Sequence, residues 1–359
     1  MTISLIGEDN QTIAAIEDLA ARMLKRANIR AERMGRGANS RVFRLEDLAD
    51  RRRYVVKFYF RHPADPRDRL ETEFTGFSFL WTQGITSIPR PIAVNREESC
   101  AIYEFIEGEK ISPENIAVED IEYAVDFLAR LKRLNTIARS YHLSSASEAC
   151  FSIQAIVASI EERLSRLSKI KGKGQDYEQL ESFLEGDFKP FLEILTPWAR
   201  GRCAEKRISF DSEIPLEERT LSPSDFGFHN TIRARDGRIV FLDFEYFGWD
   251  DPAKTVVDFL LHPAMALSDS MKKAFVARML NAFVENGQLA EKVKLVYPLF
   301  GLKWCTIFLN EFVPDDFSRR VYAAGSPLDK GPIRQEQLWK AKDLYRKIKE
   351  TYTEFPYSS

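Results

Sequence analysis

The sequence predicts an α+β chain of two lobes: a smaller N-terminal lobe built on an antiparallel sheet and a larger, mostly helical C-terminal lobe, spanning 1–105 and 106–359. Three observations carry this expectation. Short apolar runs rich in β-branched and aromatic residues, separated by glycine, proline and charged breaks, recur between residues 29 and 106. From residue 117 the apolar spacing changes to that of helices. Inside the helical part, one hairpin signal, Arg235-Asp236-Gly237-Arg238, interrupts the pattern.

Composition narrows the function classes. A chain of 359 residues can bury two sizeable cores. Hydrophobic residues at 44% and charged residues at 30% are those of a soluble globular protein. The formal net charge of −2 gives no polyelectrolyte signature, so nucleic acid is not an expected partner. The longest apolar runs, such as Val256-Val257-Asp258-Phe259-Leu260-Leu261, are too short to span a membrane, and none is expected as a partner. The N-terminus carries acids early and no basic region, unlike a signal peptide. Cys100, Cys150, Cys203 and Cys305 are widely spaced, which argues against disulfides and zinc and for a cytoplasmic setting.

In chain order, Ile13, Ile16, Leu19, Ala20, Met23 and Leu24 mark an amphipathic helix that packs outside the first sheet. A strand at 29–34, a turn containing Gly35, Gly37 and Ser40, and a strand at 41–45 follow. Glycines let backbone N–H groups approach phosphates, although a plain hairpin turn would look the same. Tyr54-Val55-Val56-Lys57-Phe58-Tyr59-Phe60 is an apolar strand holding one charge. A lysine there needs partners, because an unpaired buried ammonium is costly; the alternative is an edge strand protected by its lysine. A helix over 67–80 then offers Glu71 and Glu73, which cannot both face the same way at a two-residue offset. Two more strands, 88–94 and 100–106, close the lobe, and Glu107-Gly108 breaks the pattern.

The helical part reads as elements at 117–134, 153–167, 177–204, 271–285, 291–312 and 335–352. Lys169, Lys171 and Lys173 form a local basic patch, read as a solvated turn. Trp304, Phe308 and Phe312 share one helical face, read as core.

The stretch Leu221–Asp258 organises the rest. Asp225-Phe226-Gly227-Phe228-His229-Asn230 places a carboxylate and an amide five positions apart. Ile239-Val240-Phe241-Leu242-Asp243-Phe244-Glu245 is an apolar strand ending in acids. Two strands joined at Asp236-Gly237 bring Asn230 and Asp243 to the same end of a hairpin. Oxygen donors of that kind suit a hard cation such as Mg²⁺. Asp225, just before the hairpin, is placed to act as a base.

These motifs resemble the aminoglycoside phosphotransferase and choline kinase group of small-molecule kinases, which share the protein-kinase-like fold. That group writes H-G-D-x-x-x-x-N, an apolar strand, then I-D-W/F-E and G-D-P. Asp225 and Asn230 match the first motif, Leu242-Asp243-Phe244-Glu245 the second, and Asp251-Pro252 the third. The resemblance implies an ATP- and Mg²⁺-dependent kinase that phosphorylates a hydroxyl of a small molecule, a sugar, amino sugar or amino alcohol. It implies Asp225 as catalytic base within a catalytic loop at 222–230, and Asn230 and Asp243 as metal ligands, the latter in a segment at 239–252. It implies Gly35, Gly37, Ser40 and Lys57 at the nucleotide phosphates, with Glu73 pairing Lys57. Backbone groups at Glu104, Phe105 and Ile106 are implied at the adenine. Pro223-Ser224 replaces the usual His-Gly, Thr255 stands where the group carries an Asp, with Asp258 the nearest, and His229 is read as a buried or capping histidine. The missing His-Gly motivates a competing expectation, an inactive nucleotide-binding module acting through protein interaction.

Overall fold

The computed structural model describes residues 10–35, 40–61, 65, 67–314, 317, 321 and 329–358. They fall into two compact units: the described residues of Met1–Ile111, of the hairpin segment Asn230–Phe247 and of Phe317–Leu328, and those of Ser112–His229, Gly248–Asp316 and Asp329–Ser359.

In the first unit, helix α1 (Asn10–Leu24) precedes strands β1 (Ile29–Met34), β2 (Ser40–Asp47) and β3 (Arg53–Tyr59). Helix α2 (Arg69–Thr82) and strands β4 (Pro91–Asn95) and β5 (Cys100–Glu104) follow. The five strands form one antiparallel sheet in the order β1-β2-β3-β5-β4. Strand alternation sorts its two faces. Val56, Phe58 and Ile102 join Phe43 and Leu45 in a core closed by Ile16, Leu19 and Ala20 of α1. Their neighbours Lys57, Tyr59 and Tyr103 point to the other face, which α2 covers: the Phe77 and Tyr103 rings meet edge to face at 5.5 Å. Asp68 caps α2 by accepting from the Glu71 N–H at 3.0 Å.

A second sheet in this unit joins β6 (Gly108–Lys110) to β8 (Thr231–Ala234) and β9 (Ile239–Phe241). Gly237, at φ +86°, closes the β8–β9 turn by donating to the Ala234 carbonyl at 2.9 Å. Gly108 cannot carry a side chain, because a Cβ would sit 2.2 Å from the Arg233 carbonyl oxygen. The packing therefore groups 230–247 with the N-terminal part, whereas the sequence boundary at 105 assigned it to the helical lobe. The cause is β6, which leaves β5 and pairs with β8, and Phe244, which packs on Phe77 at 4.9 Å.

The second unit holds α3 (Val118–Arg133), α4 (Ile153–Ser168), α5 (Gln175–Phe183), α6 (Lys189–Lys206), β7 (Thr220–Ser222), β10 (Gly248–Asp250), α7 (Pro252–Leu261), α8 (Asp269–Ala282), α9 (Leu289–Phe308) and α10 (Lys330–Thr351). Helix α9 packs on α4, α6, α7 and α10, and its buried residues, among them Val293, Val296, Leu299, Phe300, Leu302 and Cys305, run around the whole helix. Strand β7 pairs antiparallel with β10, Ser222 opposite Gly248. Phe226 stacks on Phe127 at 5.6 Å and tilts onto Phe259.

Two elements differ from expectation. The stretch 177–204 is α5 and α6 joined by one wide turn at Leu184–Phe188. Strand β9 stops at Phe241 instead of running to Glu245, because Asp243 adopts φ +65° and turns the chain. No helix among the described residues is long and apolar enough to cross a membrane.

Candidate active site

Lys57 is the centre of the first unit's polar cluster. Its ammonium lies 2.6 Å from Glu73 Oε2, 2.7 Å from Asp243 Oδ1 and 3.0 Å from Glu245 Oε1. Burial alone would lower the Lys57 pKa. The charges of Asp243, Glu245 and Glu73 outweigh it and hold the group well above the usual lysine range. Glu73 also accepts from the Tyr59 hydroxyl at 2.9 Å and from the Phe244 N–H at 3.2 Å. Of the two helix glutamates, Glu71 turns away to Arg96 and Thr75.

Glu245 is 1% exposed and lies 3.5 Å from Arg69, whose guanidinium also holds Asp65. Burial pushes the Glu245 carboxyl up, Lys57 pulls it back, and Asp243 and Glu73 push it again, to about 7. The sequence shows Glu245 only as an acid at the end of an apolar strand. The turn at Asp243 carries it inward to Lys57, and only its offset of two residues from Asp243 hinted at a shared target.

Asn230 and Asp243 lie at the open end of the β8–β9 hairpin, where the Leu242 N–H donates to the Asn230 carbonyl at 2.8 Å. Asp243 keeps 37% of its side chain exposed. A half-open carboxylate and an amide oxygen are hard donors, which would suit Mg²⁺ and not a soft metal.

The other expected nucleotide residues are spread along the sheet. Gly35 has φ +40°, a conformation that favours glycine. Ser40 is buried at the start of β2, paired with Tyr59. Gly37 lies outside the described residues. The Glu104 N–H is spent on the Arg90 carbonyl at 2.9 Å, so it has no proton left for a ligand. Phe105 and Ile106 lie between β5 and β6, with the Arg53 guanidinium over the Phe105 ring.

In the second unit, Asp225 follows β7 and receives two imidazoles on one oxygen. His229 Nε2 is 3.0 Å and His262 Nε2 3.3 Å from its Oδ1. The two rings stack at 3.8 Å, only 5° from parallel. Burial would raise the Asp225 pKa, but the hydrogen bonds of His229 and His262 prevail and hold it well below the usual carboxylate range. A carboxylate with two imidazoles also suits a transition metal. The tautomer argues otherwise: His262 Nδ1 accepts from the Ala264 N–H at 3.3 Å, so the proton sits on Nε2 and points at Asp225. A metal-bound histidine would donate from that second nitrogen. His229 is thus a direct partner of Asp225, not a bland capping residue. His262, far along the chain at the end of α7, carried no sequence signal for its role.

The residue before the carboxylate, Ser224, has φ +66°. That left-handed conformation costs an L-residue about 1–2 kcal/mol. Its hydroxyl accepts from Lys254 Nζ at 3.1 Å.

This fold is that of the protein-kinase-like small-molecule phosphotransferases. The chain is similar to the phosphotransferase enzyme family, whose model matches residues 30–193. That match ends before Asp225, so it meets the motif resemblance from a different part of the chain. Among solved structures, an ethanolamine kinase from Plasmodium vivax is 14% identical, over 96% of this chain and 93% of that one, with a TM-score of 0.61. A choline kinase from Cryptosporidium parvum is 15% identical, over 93% and 96%, with a TM-score of 0.58. A spectinomycin phosphotransferase in complex with ADP and spectinomycin is 12% identical, over 92% and 98%, with a TM-score of 0.56. No curated protein matches the sequence.

Proposed function

We propose that the protein is an ATP- and Mg²⁺-dependent kinase that transfers the γ-phosphoryl group to a hydroxyl of a small molecule. The observation that carries this reading is the buried Lys57, held between Glu73 and Asp243. A lysine so placed keeps its charge, and with nucleotide bound a phosphate oxygen would take the place of one of its three carboxylate partners. Its role is to hold the nucleotide's phosphate oxygens, with Glu73 fixing the direction of the side chain. Asn230 and Asp243 would hold Mg²⁺, which when bound supplies positive charge against the phosphates. Gly35 would lie close to those phosphates. The peptide groups of Phe105 and Ile106 would meet the adenine.

Asp225 would orient the acceptor hydroxyl and take its proton. Because two N–H donors keep it ionised, it is available as a base throughout the neutral range. Such a base contributes about 10²–10⁴-fold. The remaining acceleration would come from positioning and from charge placed on the transferring group. The acceptor class is a sugar, amino sugar or amino alcohol, as in the similar ethanolamine, choline and spectinomycin enzymes. We place this chemistry in the cytoplasm, where ATP and free thiols coexist.

The test is a panel of such hydroxyl compounds incubated with ATP and Mg²⁺, the products identified by mass. A phosphorylated product from one class supports the proposal and names the acceptor. Failure of the protein to bind any nucleotide would overturn it.

A further inference from the structure

The loop that carries Asp225 lacks the histidine and glycine of the group it resembles, and yet it holds a strained conformation. Ser224 sits at φ +66°, where glycine would sit without cost. Something must over-determine that backbone. Two bonds converge on it: the Ser224 N–H donates to Ser222 Oγ at 3.0 Å, and Lys254 Nζ donates to Ser224 Oγ at 3.1 Å.

Lys254 is itself immobilised. It is 2% exposed on α7, and its ammonium lies 2.7 Å from Oδ2 of Asp250, the last residue of β10, and 3.0 Å from Oδ2 of Asp258, one helical turn on. Asp258 is fixed in turn by the Trp304 indole N–H at 2.9 Å. An ammonium has three protons. Here they have three acceptors, Asp250, Asp258 and Ser224. Two carboxylates already satisfy the buried charge, so the third bond is directed at the loop. The same helix ends at His262, which bonds the next residue, Asp225. One rigid element thus grips the loop at two consecutive positions.

We propose that Lys254 is a positioning residue for the base: through the Ser224 hydroxyl it holds the left-handed turn that aims Asp225, in place of the missing His-Gly pair. This inference rests on Asp225 being the base of the proposed reaction. It also assigns Asp258 and Trp304 to the same brace, rather than to an ordinary helix core.

The experiment compares wild type with Ser224→Ala and Ser224→Gly, since Lys254→Met leaves the buried carboxylate of Asp250 uncompensated and threatens folding. Three quantities are read: kcat and KM with a competent acceptor, thermal midpoint, and amide hydrogen exchange across 222–230. Ser224→Ala is expected to keep nucleotide KM and midpoint, lower kcat about 10–100-fold, and speed exchange in the loop. Ser224→Gly, which removes strain but also the hydroxyl, is expected to lose kcat as well. Wild-type kcat and wild-type exchange in both variants would overturn the proposal. Should wild type transfer phosphate to no acceptor, the proposed function falls, while unchanged or faster exchange in the variants still decides the brace.

Discussion

Replacing Lys57 by methionine removes the one cation that touches all three carboxylates of the first unit's cluster. Asp243 is partly exposed and its share is screened, so the cost falls mainly on Glu73 and Glu245, which are 2% and 1% exposed. Removing one partner of a buried ion pair costs about 3–5 kcal/mol, because the remaining charge is left without compensation. Arg69, 3.5 Å from Glu245, offsets only part of it. The loss depends on pH, and the sign follows from Glu245. Its folded pKa, about 7, lies above the unfolded value of about 4.3, so between these the folded state binds more protons. That contribution is present at low pH and is lost as pH rises through 7. Without Lys57 the carboxyls rise further and take protons readily at pH 6, but at pH 8 they must carry charge unaided. Urea unfolding at both pH values checks this: the stability loss should be small near pH 6 and approach about 3–5 kcal/mol near pH 8. An equal loss at both, or none at pH 8, would refute the idea that Lys57 compensates these acids.

Asp243→Asn should raise the Mg²⁺ concentration needed for nucleotide binding at least about tenfold while leaving the melt nearly unchanged, read by calorimetric titration. His262→Gln should lower kcat with little effect on nucleotide affinity. With one donor lost, the Asp225 carboxyl rises toward its ordinary range, so the acid limb of the kcat/KM profile moves to higher pH than in wild type. Gly108→Ala should destabilise the β6–β8 pairing by about 1–3 kcal/mol, seen as a lower unfolding midpoint, because its Cβ would meet backbone at 2.2 Å.

The hairpin was legible because Asp236-Gly237 prescribes its turn and the alternation of its strands prescribes its register. From that alone, Asn230 and Asp243 had to reach the same end. Lys57 was legible because a charge inside an apolar strand demands partners. The choice of Glu73 over Glu71 came from the resemblance, since helical spacing only says that one of them faces inward. Glu245 was not legible: its direction depends on the left-handed Asp243, a conformation that sequence pattern does not encode for aspartate. Lys254, His262 and Trp304 were equally hidden. Lys254 and Trp304 sit on helix faces that read as ordinary core or surface, His262 follows the last turn of α7, and their tie to Asp225 is made by tertiary packing. Trp304 in particular was read as core, whereas its indole N–H is spent on Asp258.

The most direct measurement is phosphate transfer from ATP by wild type and by Asp225→Asn, both at saturating nucleotide and acceptor. If Asp225 is the base, transfer falls by about 10²–10⁴-fold in the variant while nucleotide affinity stays within error. Transfer at the wild-type rate by Asp225→Asn would contradict the assignment of the catalytic loop.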